Sequence, residues 1–238
     1  MEIVNLSHKL STVLNNIGIS TIITHNMSYL DLDEDENFIT FIPTNKVNTV
    51  KFKGGDIWKD ARNKIKIGRF LKEILYVEDN DIENLVNQYK THYKIETGRI
   101  DEIFDIVDGN EIFDCYQSMN YLPGGGSLSN SCMTNSTKQK LSMYIKNPKV
   151  VKLLVIKFGG KISGRALMWT TNNGIYIDRP YCRFDKDLHL YELYAEKMGF
   201  THYYKNRNER KTVKIKVPMN DKPYLDTFKV VRNNLISN

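Results

Sequence analysis

Cysteine is scarce in this 238-residue chain: Cys115, Cys132 and Cys182 are the only three, and none belongs to a CxxC pair. So sparse a set gives no disulfide framework and no zinc-ligand pattern, and it points to a reducing, intracellular compartment. Long apolar runs are missing as well. No stretch approaches the roughly 20 residues that span a bilayer, and the opening MEIVNLSHKLSTVLNN has neither the charged start nor the apolar core of a secretory signal. Together these absences predict a soluble, cytoplasmic protein with no membrane partner. There is no Gly-Lys-Ser/Thr loop and no dinucleotide fingerprint. The acidic run Asp31 to Glu36 lacks the twelve-position pattern of a calcium loop, so it reads as a solvated turn and no metal site is expected.

What is present is an uneven distribution of charge. The net charge is +6, yet residues 1–120 carry thirteen Lys or Arg against twenty Asp or Glu, and residues 121–238 carry twenty-one against eight. A basic half of this kind suits a phosphate-rich or otherwise anionic partner, or it neutralises its own acidic half.

The strongest patterning lies between Pro148 and Tyr203. Val150 to Ile156 is a β-branched run, Gly159-Gly160 a turn, Ile162 to Thr170 a second strand, Asn172-Asn173-Gly174 a left-handed turn, and Ile175 to Tyr181 a third strand. A helix over Asp185 to Met198, stopped by Gly199, and a strand from Phe200 follow. Upstream, the spacing predicts a helix over 3–17, a strand over Ile19 to Thr24, and a hairpin of Phe38 to Ile42 with Val47 to Phe52. Helices are expected over the segment from Ile57 to Leu75 and over 81–94. Ser129, Asn130 or Ser131 caps a helix running to Tyr144, fed by the loop Gly124-Gly125-Gly126. Two further strands are expected, Thr212 to Val217 and Tyr224 to Val231. The fold class is therefore α+β, a mixed and largely antiparallel sheet with flanking helices. An acidic region, 1–115, precedes a basic domain, 116–238.

The order of meander, helix and strand over about residues 127–231 resembles the N-acetyltransferase-like (GNAT) fold. In that family the turn after the third meander strand holds a pyrophosphate with glycine amides; here it is CRFDKDLH, with no glycine. The motifs SLSNSCM, NPKVVKLLVI, GRALMW, DRPY, YAEKMGF and PYLDTF look like those of an uncharacterised protein family of bacteriophages and other large DNA viruses. That resemblance implies a viral setting, and hence the host cytoplasm, without an activity.

Several residues are candidates for chemistry. Arg165 and Arg179 fall within strands, where a charge is costly unless it is paired or faces a ligand, with Asp178 or Asp226 as the natural partners. With Arg183, Ser131 and the glycines at 124, 125 and 126, they form the candidate anion-binding set. A glycine loop feeding a helix N-terminus presents free amide donors. Cys132, just before or within the first turn of that helix, is followed by His202 and Asp226, the order found in papain-like cysteine enzymes.

Three functions stay open. The first is an auxiliary binding or regulatory protein on a degenerate acetyltransferase-like scaffold, engaging nucleic acid, a host protein or another anionic partner without a cofactor. The second is an acyltransferase using acetyl-CoA. The third is a cysteine-dependent hydrolase or transferase using Cys132, His202 and Asp226.

Overall fold

The computed structural model describes residues 5–49, 52–53, 56–57, 62–75, 79–202, 212–213 and 229–230. The chain forms two compact units, Met1–Arg99 and Ile100–Asn238. The class is α+β, with mainly antiparallel sheets. No helix among the described residues is long and apolar enough to cross a membrane.

In the first unit, α1 (His8–Asn16) starts at Ser7, whose hydroxyl accepts from the Leu10 amide, and it buries Leu10, Val13 and Leu14. β1 (Met27–Leu32) and β2 (Phe38–Pro43) pair antiparallel. A two-residue ladder joins β3 (Phe52–Lys53) to β4 (Asp56–Ile57), and β5 (Asn63–Lys66) completes the three-stranded sheet on the other edge of β2. The helices α2 (Ile67–Ile74) and α3 (Asp79–Glu96) follow.

Three expectations fail here. Ile19 to Thr24 is not a strand, Thr44–Thr49 is a 3-10 turn where the second hairpin strand was expected, and Asn63–Lys66 is a strand where a helix was expected. For the last two the cause is shared: both edges of β2 are taken, by β1 and by β5 from more than twenty positions on, and sheet pairing overrides local propensity. The Asp33 carboxylate is buried and ion-paired to Lys64 at 2.7 Å, and no group of metal-ligating side chains occurs among the described residues.

The second unit is built on one sheet. β6 (Phe104–Val107), β7 (Val151–Phe158), β8 (Lys161–Thr171) and β9 (Gly174–Ile177) run antiparallel in sequence order, and β11 (Thr201–His202) adds in parallel to β9. β10 (Tyr181–Cys182) pairs with β8 on the same side as β9. Residues 100–115 belong to this unit because β6 is paired along β7. Two short pieces, β12 (Thr212–Val213) and β13 (Lys229–Val230), pair in parallel. The remainder of the two C-terminal strands expected from the sequence, and Asp226 with them, lies outside the described residues.

Strand alternation sorts side chains onto the two faces. One face, with Gly164 and Ala166, meets α6 (Leu188–Met198): a β-carbon at Gly164 would lie 2.9 Å from the Tyr191 hydroxyl, and the Phe104 ring packs edge-on to Tyr191 and tilted against Tyr194. Gly199 (φ +67°) ends α6, and the Phe200 amide donates to the Ala195 carbonyl. The other face carries Leu153, Val155, Leu167 and Trp169. It is covered by the segment holding α4 (Glu111–Asp114) and α5 (Ser142–Lys146), with Tyr144 edge-on to Trp169 at 5.9 Å. The helix expected from about residue 129 is reduced to α5. Residues 127–137 make successive turns instead, in keeping with a run of Ser, Asn and Thr whose side chains bond the nearby backbone.

Candidate anion-binding pocket

Arg165 sits in the middle of β8, on the face covered by the 110–147 segment, and is 1% exposed. Three tyrosine rings surround its guanidinium. Tyr116 lies 4.0 Å from the guanidinium carbon, Tyr181 at 5.5 Å and Tyr121 at 5.6 Å. Each ring is placed by a separate device. Tyr181 is the direct cross-strand partner of Arg165. Tyr121 forms an isolated bridge to Ile162, with the next amide, Leu122, donating to the Ile162 carbonyl at 2.8 Å. Tyr116 follows α4, and its carbonyl accepts from the Asn135 amide at 2.7 Å. Burial pushes the Tyr116 phenol up to about 12 although the Arg165 charge opposes the shift, so it stays protonated at physiological pH.

The Arg165 Nε and Nη2 atoms are buried and have no hydrogen-bond partner among the described residues. The expected ion pairs of Arg165 and Arg179 with Asp178 do not form among those residues; one Asp178 carboxylate oxygen accepts from the Arg179 amide at 2.8 Å. Asp178 and Arg179 mark the point where three residues, 178–180, face two of β8, 166–167, between the paired stretches. This extra residue bulges the strand and turns Asp178 inward, 5% exposed, while Arg179 stays exposed over Tyr181. A cavity of about 20 Å³ lies here, lined by Arg165, Asp178, Arg179, Tyr116, Tyr181 and Ser131 among others.

The glycine loop has a different job. Gly126 (φ +85°) lies against the backbone of Cys182 and Arg183, and Gly124 (φ +127°) lies under the Arg183 guanidinium, which donates through Nε to the Pro123 carbonyl at 2.8 Å. Leu128 donates its amide to the Cys182 carbonyl, and the Cys182 amide donates to Ser127 Oγ at 2.9 Å. Residues 123–128 are thus a strap along the outer edge of β10. Gly124, Gly126 and Arg183 are held by one another, and with no helix beginning there the expected amide cradle is absent. Gly125 has open space around its α-carbon. Ser131 is buried at the cavity, its Oγ accepting from the Met133 amide at 3.3 Å.

Cys132 is exposed, in a turn and not at a helix N-terminus, so the dipole argument for its activation does not apply. His202 pairs with Ile177, on the face of the sheet opposite to the one covered by the segment that carries Cys132. The other two thiols are buried; Cys115 is pushed up to about 11 and Cys182 upward as well, both chiefly by desolvation.

Beside the strap, on the α6 face, Ser163 donates to the buried Asp187 carboxylate at 2.9 Å, and desolvation raises the Asp187 pKa against that hydrogen bond. A raised folded-state value means that this group supports folding below the ordinary aspartate range and loses that support as pH rises through the raised value. Asp187→Asn keeps an acceptor for Ser163 and removes the titration. Its stability relative to wild type is expected to grow from acid to neutral pH, with the variant more stable at neutrality. Denaturant unfolding at several pH values checks this, and a pH-independent difference between the two chains would refute it.

Sequence reasoning found Arg165, Arg179, Asp178 and Ser131, which meet at one cavity, and missed Tyr116, Tyr121 and the cage role of Tyr181. No family model matches this chain, and neither a curated protein nor a solved structure does.

Proposed function

We propose that this chain is an auxiliary binding or regulatory protein, viral as its motifs imply, whose acetyltransferase-like second unit receives an anionic group and transfers no acyl group. The observation that carries this reading is Arg165, a buried guanidinium with two N–H groups of one edge unpartnered among the described residues. Burying an ion costs several kcal/mol, which the three tyrosine rings offset only in part, and a buried charge of this kind in a cavity is a functional-site candidate. The meander β7-β8-β9 followed by α6 and a parallel β11 is the order that the scaffold reading requires.

Acyl transfer is disfavoured by three features of the place where a pyrophosphate would rest. The turn after β10 has no glycine, Arg183 is tied to Pro123, and the outward amide and carbonyl of Cys182 are already taken by the strap. A nucleic-acid backbone has Arg179 within reach, but the burial of Arg165 leaves that residue to a small group. Calorimetric titration with acetyl-CoA is expected to show no saturable heat at micromolar concentrations. Saturable binding followed by release of free CoA would replace this reading with an acyltransferase.

A further inference from the structure

We infer that the Arg165 cavity is a receptor for the terminal carboxylate of a small molecule, an assignment that rests on the anion-binding reading above. The two unused donors of Arg165 decide the shape of the ligand. Nε–H and the Nη2–H on the same edge of a guanidinium point in parallel, and their spacing matches the two oxygens of one carboxylate. The Tyr116 ring lies 4.0 Å from the guanidinium carbon, with Tyr181 at 5.5 Å and Tyr121 at 5.6 Å, and none of the three accepts from the unpartnered edge. Ser131 Oγ already accepts from Met133, so its own O–H is free to donate to a bound oxygen as a third contact.

Size and charge narrow the class further. About 20 Å³ is somewhat more than one ordered water requires, enough for the head of a ligand and not for a nucleotide or pyrophosphate. Exposed Arg179 at the rim draws the anion in. A planar carboxylate fits both the parallel donors and the small volume, whereas a tetrahedral phosphate meets the donors but needs more room.

The test uses the full chain and follows its thermal midpoint in formate, acetate and inorganic phosphate, with chloride as control at matched ionic strength. Formate or acetate is expected to raise the midpoint saturably, by about 4 °C at tenfold excess over the dissociation constant, while phosphate does no more than chloride. Arg165→Lys keeps a charge but loses the fork, and its carboxylate affinity is expected to fall by about tenfold or more. If that variant does not fold, the wild-type contrast between carboxylate and phosphate decides alone. Phosphate binding as tight as carboxylate, or no saturable rise with either carboxylate, overturns the assignment. The two readings fail separately. Turnover of acetyl-CoA with carboxylate binding intact removes the noncatalytic function and leaves the pocket; phosphate binding as tight as carboxylate removes the carboxylate assignment and leaves the anion-binding reading.

Discussion

Replacing Arg165 with methionine is expected to stabilise the second unit by about 2 kcal/mol and to abolish its response to anions. The guanidinium is 1% exposed and pays the desolvation of an ion, several kcal/mol, without an ion pair among the described residues. The tyrosine cage returns part of this. The ring at 4.0 Å contributes about 2 kcal/mol, and the two near 5.5 Å about 0.5 kcal/mol each. Methionine fills similar space and keeps a favourable contact with the aromatic rings. Chemical denaturation with the transition of the second unit followed separately reads the sign. A loss of stability in Arg165→Met would mean that the cage outweighs desolvation and that the arginine is a structural post. The coupling of higher stability to lost binding is the pattern of a site kept for its ligand.

Gly126→Ala carries the second large effect, a loss of about 3 kcal/mol. At φ +85° any residue but glycine is strained, and a β-carbon there would run into the Arg183 carbonyl oxygen and lie 2.6 Å from that of Cys182. Both obstacles are backbone, so no side-chain rotation relieves them. The strap must move, taking with it the hydrogen bonds from Leu128 to Cys182 and from Cys182 to Ser127. Gly125→Ala is the control, since nothing lies within 4 Å of its would-be β-carbon, and it is expected to cost little. Equal effects from the two substitutions would show that the strap tolerates displacement.

The central meander was legible because its signals are local. Its β-branched runs, Gly159-Gly160 and Asn173-Gly174 name their own turns, and Trp169 and Leu167 share the packed face as their alternation predicts. Arg165 announced itself as a charge inside an apolar strand. Its cage did not, because Tyr116 and Tyr121 lie more than forty positions upstream and reach it only through the packing of an irregular segment. The glycine triplet is a ligand cradle only if a helix begins directly after it. The Ser- and Asn-rich stretch that followed satisfies its backbone in turns, and the glycines serve close contact with β10. In the first unit the error was of the same kind: β2 pairs with β5, a partner that no local window contains.

The central claim is that the buried Arg165 guanidinium, unpartnered on one edge among the described residues, binds an anion there. Nuclear magnetic resonance of the arginine Nε–H groups in the full chain tests it most directly, with Arg165 assigned by its loss in Arg165→Met. The Arg165 signal is predicted to move downfield and saturate as acetate is added, with the other arginines unchanged. A signal that stays in place throughout the titration would contradict the claim.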